Sequence, residues 1–342
     1  MNNIKIICTL GPSSFKKSIL SKLKILGVDI FRINLSHTNK KDISKKIDFL
    51  RKNKIKNICL DTEGAQIRTT LIPNKKYLNK NKIIKIFNRD KNSDAKNISL
   101  FPKFDIFSLK KGIKIDIGFD NLRLKVIKKF NKKYATAKVI KPGHLESRKG
   151  VHIHKNIYIP PFTEKDEYAI KLASKKNIKY FALSFVNNHK DIISLKKKLK
   201  RNFFIISKIE TLNAIDDLKK ICKSSNALLI DRGDLSRYIP IEKIPVAQEM
   251  IIKNSLRFKI PTYVATNLLE TMIKESEPTR AESHDIFSSL NQGCSGLVLA
   301  AETAIGSSPI ECVRFLKRCI KNFLLVKKKK FTIIKKMKYL LN

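Results

Sequence analysis

No apolar run in the 342 residues reaches the ~18–20 that a membrane span needs. The opening stretch, MNNIKIICTLGPSS, has too short an apolar segment for a secretory signal. A cytoplasmic protein without a membrane partner is expected. The six cysteines (Cys8, Cys59, Cys222, Cys294, Cys312, Cys319) include no CxxC pair, so neither a disulfide framework nor a zinc knuckle is suggested. They read as small buried hydrophobes. Acid is also scarce: 29 Asp and Glu face 72 Lys and Arg, for a net charge of +43. Such an imbalance invites a nucleic-acid reading. Yet the lysines are spread along the chain, and neither a binding motif nor an aromatic platform accompanies them. Together with abundant Asn and Ile, they follow the codon bias of an AT-rich genome. Specific nucleic-acid binding is not expected; nonspecific adhesion to polyanions at low salt is.

A hydrophobic content of 42% is ordinary for a globular chain, and the length suits one large domain with a small insert. Short β-branched runs alternate with lysine-rich amphipathic segments. The runs are residues 3–10, 28–36, 55–62, 179–186, 203–210, 227–234, 261–269 and 296–303. One intervening segment, FTEKDEYAIKLASKKN, opens with Thr163 and Asp166 in a capping-box-like start. Strands separated by helical crossovers pair in parallel, and eight such units predict an α/β fold, a (β/α)8 barrel.

Barrels of this kind place their chemistry at the C-terminal ends of the strands. Polar residues collect there: Arg32, Asn34 and Ser36; Asp61 and Thr62; Lys208 and Glu210; Asp234; Thr266; Glu302. The fifth run, FFIISKIE, is the most telling. Strand side chains alternate, so Lys208 and Glu210 share a face. A buried ion pair is a poor source of stability; polar residues at the ends of six strands predict one shared pocket. Between runs three and four, residues 69–150 carry strand-like pieces and turns without helical period. They are too long for a loop and read as an inserted β domain suited to act as a lid. The expected organisation is a barrel over 1–68 and 151–325, a β lid over 69–150 and a basic tail over 326–342, whose amphipathic segment is expected to be a solvated helix. His152 and His154 in VHIH alternate like a metal pair, but their strand-like context and the missing third ligand argue against metal binding.

The blocks IICTLGPSS, FRINLSH, DTEGAQIRT, SRKGV, TEKD, SKIE, RGDL, ATNLLETM, PTRAE and ETAIG, in that order, resemble the pyruvate kinase family over nearly the whole chain. The resemblance stops near residue 320, where that family usually carries a further α/β domain. It implies phosphoryl transfer from phosphoenolpyruvate to ADP, giving pyruvate and ATP in the last step of glycolysis. It implies Mg2+ held by Glu210 and Asp234, with Lys208 neutralising the phosphoryl group in flight and Arg32 gripping it. Gly233 and Asp234 would meet the substrate carboxylate, and Thr266 the face where the enolate is protonated. Arg68, Lys149, Asn34 and His37 would contact the nucleotide, and Asn34, Ser36, Asp61 and Thr62 would form a K+ shell. With much of the family's usual interface and its effector domain missing, a homodimer or monomer without sugar-phosphate activation is expected.

Several positions depart from the family pattern. DTKGPEIR is DTEGAQIR here, with Glu63, Ala65 and Gln66; the last replaces a glutamate tied to potassium dependence. SGET is AAET, with Ala300 and Ala301. ARGDLG is DRGDLS, which adds a carboxylate, Asp231, beside the metal pair. Asn187 stands where the family often has arginine. These changes leave open a paralogue that binds Mg2+ and a similar acid but uses another acceptor or acts as a lyase, and a non-catalytic relative.

Overall fold

The computed structural model describes residues 4–64, 66–89, 91–118, 122–130, 134–155, 157, 159–199 and 203–328. The chain divides into two compact units, residues 1–63 with 164–342, and residues 64–163. Among the described residues, no helix is long and apolar enough to cross a membrane.

The first unit is built on a closed barrel of eight parallel strands. In chain order they are Lys5–Leu10, Ile30–Asn34, Ile58–Asp61, Tyr180–Leu183, Phe204–Ile209, Ala227–Asp231, Thr262–Ala265 and Gly296–Leu299. Each pairs with its sequence neighbour in the barrel, and the eighth closes onto the first through Lys5↔Gly296 to Cys8↔Leu299. The crossovers are amphipathic helices. Ile43–Lys52, for example, buries Ile43, Ile47 and Leu50, which lie on one face at helical spacing. Two helices start at complete capping boxes, Asn188 with Asp191 and Thr279 with Glu282. In the helix Glu164–Lys175, Asp166 accepts a bond from the Glu63 N–H at 2.7 Å. Close packing at the closing seam explains two glycines. A Cβ on Gly296 would meet Lys5 O at 2.6 Å, and one on Gly11 would meet Ala304 O at 2.4 Å.

The second unit is a β domain. Its seven-stranded sheet runs in the order Val151–Ile153, Lys114–Ile117, Leu122–Phe130, Tyr134–Lys141, Ile83–Asn88, Asn97–Phe101, Arg68–Thr69. A two-stranded ribbon pairs Gly143–Leu145 with Lys76–Leu78. Alternation fills its core: Ile84 and Ile86, Leu122, Leu124 and Val126, and Ala135, Ala137 and Val139 are all buried. The limits read from the sequence, 69 and 150, fall inside this unit. Arg68–Thr69 pairs with Leu100–Phe101 and Val151–Ile153 with Ile115–Ile117, so both flanking strands belong to its sheet. The basic tail begins within the last helix, Pro309–Lys328; the rest of it lies outside the described residues.

Candidate active site

The barrel interior is apolar at one level and charged at the next. Ile7, Ile30, Cys59, Ala182, Ile206 and Leu229, one from each of the first six strands, pack in one buried cluster. Two residues further along each strand, on the same side, stand Thr9, Arg32, Asp61, Ser184, Lys208 and Asp231. All six are buried, and they bond around the barrel. Arg32 donates to Thr9 Oγ1 at 3.0 Å and grips Asp61 Oδ2 through Nε at 2.8 Å and Nη2 at 2.7 Å. Ser184 Oγ donates to Asp61 Oδ1 at 3.1 Å or to Thr62 O at 2.7 Å, and accepts from Lys208 Nζ at 3.3 Å.

Lys208 is the hub. Its ammonium lies 2.7 Å from Glu210 Oε1, 3.3 Å from Asp231 Oδ2 and 3.6 Å from Asp61 Oδ2. Burial alone would favour the neutral amine, but Asp61, Glu210 and Asp231 hold its pKa well above the ordinary lysine value. Burial, aided by repulsion from Asp234 and Asp231, pushes the Glu210 carboxyl up against the pull of Lys208. Asp231 is equally enclosed, yet Lys208 and Arg32 hold it below the usual carboxylate range. Glu210, Asp231 and Asp234 bring carboxylate oxygens within 4.8 Å of one another, the only such cluster of metal-ligating side chains among the described residues. Glu210 Oε2 accepts the Phe185 N–H at 2.6 Å. Oε1 forms the 2.7 Å ion pair with Lys208 and has no other polar partner, which leaves a lone pair unused in a fully buried carboxylate.

The adjoining turn is strained. Thr266 has φ +69° and Asn267 φ +56°, values that a β-branched residue rarely adopts. Arg232 holds the turn by donating to Thr266 O through Nε at 3.1 Å and to Asp285 through Nη1 at 2.8 Å. The Thr266 hydroxyl accepts the Gly233 N–H at 2.9 Å and donates to Ala265 O at 2.5 Å. Asp234 belongs to the short helix Arg232–Leu235 and pairs with Arg237 at 3.2 Å.

A closed eight-stranded barrel with charged residues at the strand ends is common to many enzymes, and resemblance to known chains narrows the choice. The family model described as pyruvate kinase, barrel domain, matches residues 1–313. A pyruvate kinase of Thermotoga maritima is 34% identical over 94% of this chain and 71% of its own length. Pyruvate kinases of Staphylococcus aureus and Staphylococcus epidermidis are each 30% identical over 93% of this chain and 56% of their own length. The chain belongs to the pyruvate kinase family.

Of the residues singled out from the sequence, the structure brings Arg32, Asp61, Lys208, Glu210 and Asp234 into one network, with Gly233 and Thr266 on the adjoining turn. Thr62 joins through Ser184, whose N–H donates to Thr62 Oγ1 at 2.9 Å. Asn34, Ser36 and His37 form the turn after the second strand, where Asn34 Oδ1 accepts the Ser36 N–H at 2.9 Å. Lys165 donates to Leu35 O in that turn at 2.8 Å and pairs at 3.0 Å with Glu63, the glutamate that stands in the family's lysine position. Arg68 and Lys149 belong to the second unit. They neighbour each other there: Thr69 N–H donates to Lys149 O at 2.9 Å, Arg68 bridges Gly150, and Lys149 Nζ pairs with Glu146 at 2.9 Å.

One expectation needs correcting. Glu302 does not join the charged network. The eighth strand ends at Leu299, and Glu302 sits on the following helix, Ala301–Ala304. There it accepts the N–H groups of Leu269 at 3.2 Å and Ala300 at 2.7 Å, so it ties two loops together. His154 is bound to Asp116 at 2.8 Å, and the His152 ring meets the His154 ring edge-on with centroids 4.6 Å apart. Thr9 and Ser184 were not anticipated. The signal was present: each lies two residues beyond an inward apolar residue, the same offset that separates Lys208 from Ile206.

Proposed function

We propose that the chain transfers the phosphoryl group of phosphoenolpyruvate to ADP, giving pyruvate and ATP. The observation that carries this reading is Lys208, a buried ammonium at the barrel mouth among carboxylates that keep it charged. A binding protein gains nothing from a costly buried lysine. A phosphotransferase uses it where negative charge moves.

The donor set fits a hard divalent cation. Glu210 and Asp234 offer carboxylate oxygens at one point, and Glu210 Oε1 has capacity to spare. These two residues would hold Mg2+, which supplies positive charge to substrate oxygens. Asn34, Ser36, Asp61 and Thr62 offer hydroxyl, carbonyl, amide and carboxylate oxygens, a set that suits K+, although Asp61 is already shared by Arg32, Ser184 and Lys208.

Arg32 is oriented by Asp61 and Thr9, so its remaining donors are aimed before substrate arrives. It would grip the phosphoryl oxygens. As the bond from phosphorus to the enol oxygen breaks, a β-phosphate oxygen of ADP forms the new bond. Lys208 would neutralise the group between them. The enolate keeps the bonding electrons and takes a proton at its methylene carbon to become the methyl group of pyruvate. Thr266, held on its strained turn by Arg232, would stand at that face. The substrate carboxylate would displace the Thr266 hydroxyl from the Gly233 N–H to meet the Gly233 and Asp234 amides at the start of the short helix, and Arg68, Lys149, Asn34 and His37 would meet the nucleotide.

A coupled assay of ATP formation from ADP and phosphoenolpyruvate, with Mg2+ and with or without K+, tests the reading. Activity that appears only with Mg2+ supports it. Binding of phosphoenolpyruvate without ATP formation under any of these conditions overturns it.

A further inference from the structure

We propose that Asp231 is a third carboxylate ligand of a divalent-cation site formed with Glu210 and Asp234, so that this chain takes up the cation through three protein carboxylates where the family pattern offers two. The inference rests on the assignment of Glu210 and Asp234 to the cation.

Three observations place Asp231 there. The first is its strand. Leu229 packs in the barrel core, and Asp231, two residues on, points the same way at the mouth. Asp231 occupies the position where the family's ARGDLG block has alanine, so the carboxylate is an addition of this chain. The second is convergence: its ligand oxygen and those of Glu210 and Asp234 all lie within 4.8 Å of one another. The third is the state of its neighbour. Glu210 is fully buried, and Oε1 has no polar partner besides Lys208 at 2.7 Å. A buried carboxylate oxygen whose one close neighbour is an ammonium keeps a lone pair open to a second cation.

The charge balance points the same way. Lys208 is the only cation within reach of both Glu210 and Asp231, and it also serves Asp61 at 3.6 Å. Arg32 is committed to Asp61 and Thr9. Asp61, Glu210, Asp231 and Asp234 face Lys208, Arg32 and, beside Asp234, Arg237, which leaves one negative charge in excess. A small divalent cation with oxygen ligands offsets that excess.

The test uses the purified full chain and Mn2+ as the probe, with free Mn2+ read by electron paramagnetic resonance. Asp231→Ala and Asp231→Asn are each expected to weaken Mn2+ binding ~10-fold or more, and to lose most of the rise in melting temperature that Mn2+ gives the unaltered protein. Glu210→Gln and Asp234→Asn provide the comparison. If they weaken binding while both Asp231 variants stay within two-fold of the unaltered protein, Asp231 only partners Lys208; the inference is overturned and the cation assignment stands. If none of the four weakens binding, both fall. Because Asp231→Asn keeps the side chain's volume, it decides the matter even if Asp231→Ala does not fold.

Discussion

The two units of this chain treat charge in opposite ways. In the barrel, Arg32, Asp61, Lys208, Glu210 and Asp231 are all buried and bonded to one another. In the β unit the buried cluster is apolar throughout, and its ion pairs, such as Arg123–Asp116 and Lys149–Glu146, sit at the surface. Both units obey the same alternation of side chains. The difference lies in what the inward face meets: in the β unit it meets apolar residues and a few uncharged hydroxyls such as Ser93 and Ser99, while in the barrel it opens onto the mouth after one apolar level. Charged residues that the surrounding fold would otherwise exclude are tolerated there because each has an oppositely charged neighbour. The contrast is sharper because the chain carries +43 overall, yet concentrates four of its 29 acidic residues, Asp61, Glu210, Asp231 and Asp234, around Lys208 and Arg32.

Breaking the barrel's network is therefore expected to cost far more than breaking the β unit's. The largest effect belongs to Lys208→Met. ATP formation should fall at least ~10²–10³-fold while Mn2+ binding persists, since the carboxylates remain. More than a tenth of the activity surviving would remove Lys208 from the transfer step. Next comes Arg32→Leu, which leaves Asp61 enclosed with only Lys208, at 3.6 Å, to answer it. A broken buried pair typically costs ~3–5 kcal/mol, and the remaining lysine places this variant near about 3 kcal/mol. Urea unfolding measures it, and a loss under 1 kcal/mol would mean that the ring is not a structural network.

In the β unit the matching change, Asp116→Asn, should cost only ~0.5 kcal/mol, because surface pairs contribute little. A cost comparable to that of Arg32→Leu would abolish the contrast. The smallest effect is one of pH. Hydrogen bonds from Lys75 and Lys149 pull the Glu146 carboxyl down to about 2 from the usual glutamate value of 4.5. Its folded pKa is the lower one, so its contribution is present above the unfolded value and fades as pH falls from 4.5 towards about 2. A carboxyl titration by nuclear magnetic resonance should show that low midpoint, and an ordinary midpoint would dissolve both lysine bonds.

Much of the barrel was legible because β-branched runs and helical crossovers repeat eight times, and because Lys208 and Glu210 share a parity. Ser184 escaped notice since a serine inside LSFV reads as core until its partner Asp61 is known. Glu302 misled because its position at the end of a run says nothing about where its carboxylate turns; the Leu269 and Ala300 amides decide that. The edges of the β unit were unreadable for another reason. Arg68–Thr69 and Val151–Ile153 are too short to display alternation, and only pairing reveals them as strands.

The seam between the first and eighth strands has a consequence for how the molecule comes into being. The Thr303 hydroxyl donates to Thr9 O across 294 residues of sequence, and Lys5 waits for Gly296. During synthesis the first strand leaves the ribosome long before its partner is made. Until the last strand emerges, the growing sheet has two unpaired edges, each able to pair with another nascent chain. The lysines that crowd the exposed helices give every such chain the same sign of charge. Mutual repulsion between copies is thus already at work during the interval when the barrel cannot yet close.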